Sequence, residues 1–89
     1  MIYFDNNATT RIAPQVFAAM KPFLTDFYGN PSSAYSFGHK TRQIVEKSRQ
    51  QVASLIGAKQ TNEIIFTSCG TESDNWAILG AIEGNADKK

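Results

Sequence analysis

Glu63-Ile64-Ile65-Phe66-Thr67-Ser68-Cys69-Gly70-Thr71-Glu72-Ser73 changes character halfway along its length. Its first five residues are a short apolar, β-branched run of the kind a buried parallel strand shows. The next six are small and polar, and beyond them Trp76, Ile78, Leu79 and Ile82 recur at helical spacing. The segment therefore predicts a strand, a tight turn and a helix. A helix start carries unsatisfied N–H groups and a partial positive charge. Gly70 lets the backbone approach an anion, and Ser68, Thr71 and Ser73 offer hydroxyl donors, so the turn is suited to a phosphate. It is not a P-loop, because Gly-Lys-Ser/Thr is missing, nor a dinucleotide fingerprint, which needs three glycines. An ordinary helix cap explains the same residues, with Ser68 or Thr71 as cap and Glu72 complementing the dipole. Cys69 gains thiolate character beside a helix N-terminus. No general base stands near it in the sequence, and a small residue filling the turn is the simpler account.

Upstream, Ile44, Val45, Val52, Leu55 and Ile56 share a helical face that runs from about Phe37 to the terminator Gly57. Gly29-Asn30-Pro31-Ser32-Ser33 concentrates turn formers and reads as a loop. Val16, Phe17, Ala19, Met20, Phe23 and Leu24 predict a helix over about 14–27 that starts on Pro14. Pro22 inside it predicts a kink or break near Ala18 to Lys21. Ile2, Tyr3 and Phe4 read as a short strand and Asp5-Asn6-Asn7 as a turn. The run Asp5 to Thr10 could present amides and hydroxyls to a small polar substrate, although a plain Asn-rich turn accounts for it equally well. The polar tail from Gly84 to Lys89 is expected to fray. Two strands and three helices cannot build a covered parallel sheet, so the sequence reads as part of a larger fold.

Composition narrows the classes. With 89 residues, 42% apolar and 19% charged, the chain belongs with globular proteins and not with disordered ones. Nine Lys and Arg against eight Asp and Glu leave a charge of +1, which offers no basic stripe for nucleic acid or anionic lipid. Cys69 is the single cysteine, which excludes an intrachain disulfide or a multi-cysteine metal site within these residues and fits a reducing, cytoplasmic setting. The apolar stretch Trp76 to Ile82 is too short to span a bilayer, and Asp5, Asn6 and Asn7 interrupt any signal-peptide core. His39, the lone histidine, has no acidic or cysteine partner at metal spacing and reads as a surface or capping residue.

Four motifs stand in one order: Tyr3-Phe4-Asp5-Asn6-Asn7-Ala8-Thr9-Thr10, Phe27-Tyr28-Gly29-Asn30-Pro31-Ser32-Ser33, Ser36-Phe37-Gly38, and Glu63 through Asn75. In order and spacing they closely resemble the opening of cysteine desulfurases, class V aminotransferase-like enzymes of pyridoxal 5'-phosphate (PLP) fold type I. The resemblance implies an α/β fold, with residues 1–14 in the small domain and 15–89 beginning an incomplete large PLP-binding domain. It implies that Gly70 and Thr71 bind the cofactor phosphate and that Asn7, Ala8 and Thr9 line the substrate pocket. Two departures accompany it. Tyr35 stands where many relatives have histidine, so His39 gains no role; Cys69 stands where many have glycine or alanine and is not the persulfide-forming cysteine.

The activity so implied removes sulfur from L-cysteine, leaving L-alanine and an enzyme-bound persulfide that feeds iron–sulfur cluster assembly through a scaffold or other acceptor protein. The cofactor lysine, the ring-stacking histidine, the aspartate at the pyridine nitrogen and the persulfide cysteine are expected beyond Lys89. The segment alone is then expected to be inactive, and the full-length protein a cytoplasmic homodimer. Alternatives are a related PLP lyase or aminotransferase and, if 89 residues were the whole protein, a non-catalytic phosphate-binding module.

Overall fold

Proline at position 14 sets the start of the first helix. Its ring fixes a helical φ, and the N–H it lacks would have no partner in a first turn. In the computed structural model, which describes residues 1–86, α1 spans Pro14–Thr25, α2 Ser36–Ile56 and α3 Gly70–Gly84, with a single 3₁₀ turn at Thr61–Glu63. Asp87, Lys88 and Lys89, the end of the tail expected to fray, lie outside the described residues. The chain divides into two compact units, Met1–Ser48 and the residues from Arg49 onward.

In the first unit, α1 does not break at Ala18 to Lys21 as expected; it runs continuously through Pro22 and ends two residues early, at Thr25. Pro22 deletes only the bond to Ala18, and it sits in the closing turn. There its own carbonyl accepts the N–H groups of both Asp26, at 2.9 Å, and Phe27, at 2.8 Å. Phe27 then joins α1 to α2. Its carbonyl accepts the Thr41 hydroxyl at 2.9 Å, and Lys40 Nζ lies 3.4 Å from its ring centroid, a cation–π contact. The loop after it lies against the start of α2 so closely that a Cβ on Gly29 would stand 2.4 Å from the Phe37 carbonyl oxygen, and one on Gly38 2.3 Å from that of Asn30. Arg42 fastens the loop from the other side, donating to the carbonyls of Pro31 at 2.7 Å and Ser33 at 2.9 Å.

At its far end α2 stops on Gly57, whose φ of +74° is left-handed, and the Ala58 N–H returns to the Ala53 carbonyl at 2.9 Å. That is the six-to-one bond of a Schellman ending, as the glycine predicted. In the second unit Ala53 and Ile64 are buried, the two apolar residues of the described chain that are. The Arg49 guanidinium donates to the Ile64 carbonyl and lies 5.0 Å from the Phe66 ring centroid.

Neither expected strand, Ile2–Phe4 nor Glu63–Thr67, forms a ladder among the described residues, and Thr61–Glu63 is a 3₁₀ turn. A strand needs a neighbour for its N–H and C=O groups. Ile64 has the extended angles of a strand, but its carbonyl is met by an arginine side chain in place of a second strand. α3 buries none of its residues, and Trp76, Ile78, Leu79 and Ile82 are all exposed.

Candidate functional site

The turn that opens α3 is held by its own polar side chains. Cys69, in extended conformation, is the N-cap, and its carbonyl takes the first helical bond from the Ser73 N–H at 3.2 Å. The expected caps, Ser68 and Thr71, are thus corrected: Ser68 lies one residue before the N-cap and Thr71 is the second residue of the helix. Cys69 does not fill the turn either; it is exposed. No side chain closes a capping hydrogen bond at this terminus.

Of the hydroxyls named as phosphate donors, those of Ser68 and Ser73 are engaged within the turn. The Thr67 and Ser73 hydroxyls are 2.6 Å apart, and they lie 3.1 Å and 3.3 Å from the Cys69 carbonyl oxygen. One hydroxyl donates to the other and that one to the carbonyl, so both protons are used within the turn. Ser68 gives its N–H to Glu72 Oε2 at 2.9 Å and its hydroxyl to the same oxygen. The Glu72 N–H faces the Cys69 thiol, so what is left for a ligand is Gly70 and Thr71, the latter also lending the thiol a weaker contact. A Cβ built on Gly70 would meet nothing within 4 Å, and Gly70 has no positive φ. Neither packing nor backbone strain in the protein demands glycine there, whereas an anion lying against the backbone would. The residues present therefore fit a phosphate group at Gly70 and Thr71.

Both acidic groups of the turn are shifted toward their charged forms. Cys69 is held below the ordinary thiol range, first by the Glu72 N–H and then by the Ser68 hydroxyl, with Thr71 contributing less. Ser68 Oγ is 3.8 Å from Cys69 Sγ, but its one proton goes to the nearer Glu72 carboxylate, so the Glu72 N–H is the cause that counts. Glu72 itself is lowered by the two Ser68 donors.

The other predicted segment, Asn7, Ala8 and Thr9, lies in the first unit on an exposed turn. The Asp5 carbonyl accepts the N–H groups of Ala8 at 3.1 Å and Thr9 at 3.3 Å; the Thr10 hydroxyl bonds the Asn6 carbonyl at 2.8 Å. Thr9 Oγ1 is taken by the Tyr3 hydroxyl. Among the described residues the Asn7 side chain makes no hydrogen bond, and Asn7 is exposed. Gly70 and Thr71 belong to the second unit. His39 is exposed, and among the described residues no three His, Cys, Asp or Glu side chains converge as a metal site. No described helix is long and apolar enough to cross a membrane. Sequence reasoning missed the grip of Glu72 on Ser68; the signal was their four-residue spacing across the turn.

The chain matches the Aminotransferase class-V family over residues 2–89. It is 50% identical over 88 residues to the cysteine desulfurase NifS of Azotobacter vinelandii, covering 99% of this chain and 22% of that protein. A cysteine desulfurase of Enterobacter agglomerans is 59% identical over 81 residues, 91% of this chain and 20% of its own length. The cysteine desulfurase IscS of Methanosarcina thermophila is 47% identical over 87 residues, 98% of this chain and 21% of its own length. The chain thus spans about a fifth of the length of these curated relatives.

Proposed function

Because the chain belongs to the class-V aminotransferase family, we propose that the whole protein is a PLP-dependent cysteine desulfurase, converting L-cysteine to L-alanine and an enzyme-bound persulfide. The observation that carries this reading is the start of α3, where no side chain caps the helix and the space over Gly70 is open. There the N–H groups of Gly70 and Thr71, with the Thr71 hydroxyl, hold the cofactor phosphate at the positive end of the helix. The exposed Asn7 amide, with Ala8 and Thr9, contributes to the substrate pocket. When bound, PLP supplies an electron sink for cleavage of the carbon–sulfur bond.

The same reading assigns residues 1–14 to the small domain, makes the whole protein a cytoplasmic homodimer and passes its persulfide sulfur to an iron–sulfur scaffold or another acceptor protein. The names of the relatives support the sulfur transfer in it. The test is made on the whole protein, which should carry PLP on a lysine, seen as visible absorbance that borohydride reduction fixes to one peptide. It should release alanine from cysteine in step with persulfide. A protein without lysine-bound PLP would end the proposal.

A further inference from the structure

A glutamate at the third position of a helix ordinarily folds back to the N-cap N–H, completing a capping box. Glu72 occupies that position in α3 but passes the N-cap residue Cys69. It takes the N–H of Ser68 at 2.9 Å and the Ser68 hydroxyl, both on Oε2. The consequence is geometric. Ser68 is tied across the turn to the first turn of the helix, while no capping hydrogen bond takes the Gly70 N–H and the Thr71 N–H meets only the Cys69 thiol, weakly.

The linked Thr67 and Ser73 hydroxyls hold the Cys69 carbonyl. The bend is thus fastened at Ser68 and at Cys69, directly before the two residues that meet the anion. A carboxylate this near a phosphate carries an electrostatic cost, and two donors on one oxygen neutralise part of its charge. A residue without an acceptor oxygen would avoid the cost but lose the fastening.

We propose that Glu72 is a positioning residue for the cofactor phosphate, acting through Ser68 to hold the turn open for an anion at Gly70 and Thr71. The inference rests on the reading of that turn as the phosphate site. The test compares PLP with pyridoxal, which lacks the phosphate, in equilibrium binding to the whole protein and its E72A, E72Q and S68A variants.

Unsubstituted protein should prefer PLP; equal binding of the two would refute the phosphate site itself rather than the role of Glu72. Loss of a charge-assisted bond of about 1.4 kcal/mol corresponds to about tenfold. E72A should therefore weaken PLP about tenfold and leave pyridoxal unchanged, with a displaced ³¹P resonance of the bound cofactor. E72Q, which keeps an acceptor oxygen, should recover most of the affinity. Equal loss of PLP and pyridoxal in E72A would show a merely structural residue and overturn the proposal, as would no loss at all. Should E72A fail to fold, S68A decides: it removes the hydroxyl donor alone, and unchanged PLP binding by that variant overturns the proposal.

Discussion

Cys69 stands at the N-cap of α3 with its thiol facing the N–H of Glu72, which favours the thiolate. Its alkylation rate by iodoacetamide should rise with pH at a midpoint below that of a free cysteine, about 8.5. The PLP-bound whole protein should show a higher midpoint, because a dianion beside the thiol opposes its ionisation. A midpoint at the free-thiol value in both states would show that the helix end does not act on Cys69. Glu72 gives a second measurement. Its carboxyl is depressed by Ser68, so the turn it closes is fully held above the ordinary glutamate value and released as pH falls through the lowered one. The Ser68 amide resonance should stay fixed from about pH 7 to pH 5 and move only in more acid solution; movement centred on neutrality would contradict the bond. The start of a helix at Gly70 was legible in the sequence from the small polar turn before the apolar spacing. The cap was not, because serine and threonine lead the preferences for that position and cysteine is absent from them.

At the scale of elements, the two ways in which glycine is needed here separate cleanly. Gly57 has a left-handed φ with nothing within 4 Å of a Cβ, so Gly57→Ala meets only backbone strain, about 1 kcal/mol. Gly38→Ala instead drives a methyl against the Asn30 carbonyl oxygen, 2.3 Å away, and must push the loop off α2. It should destabilise by about 3 kcal/mol, the upper range for overpacking. Urea unfolding of the whole protein should rank Gly38→Ala below Gly57→Ala, and the reverse order would mean that the loop yields freely. The three helices were legible because apolar spacing and Pro14 or Gly57 mark them locally. The strands were not, because pairing depends on a neighbour that no local pattern contains; Ile64 shows the extended angles without the ladder. Pro22 misled for a related reason: its cost depends on how near the helix end it falls, and α1 closes on the Pro22 carbonyl itself.

At the scale of the molecule the decisive quantity is what stays uncovered. Ala53 and Ile64 are the buried apolar residues among those described, whereas Trp76, Ile78, Leu79 and Ile82 on α3 and Val16, Phe17, Met20 and Leu24 on α1 remain exposed. Full burial of a large apolar side chain contributes about 1.5–3 kcal/mol. Ordering the backbone costs about 1–2 kcal/mol per residue. Two buried side chains cannot offset that over three helices, and patches of this kind mark surfaces that other protein covers. The count of elements already implied as much, since two strand candidates and three helices do not close a sheet. Residues 1–89 produced alone should therefore show helical circular dichroism that declines gradually on heating, and should yield no alanine from cysteine in the presence of PLP. The whole protein should melt in one cooperative step that PLP shifts upward, because a ligand bound only by the folded state stabilises it by mass action. A sharp transition in the isolated segment, unaffected by dilution, would show that these apolar faces need no cover and would favour an autonomous phosphate-binding module over a part of a larger enzyme.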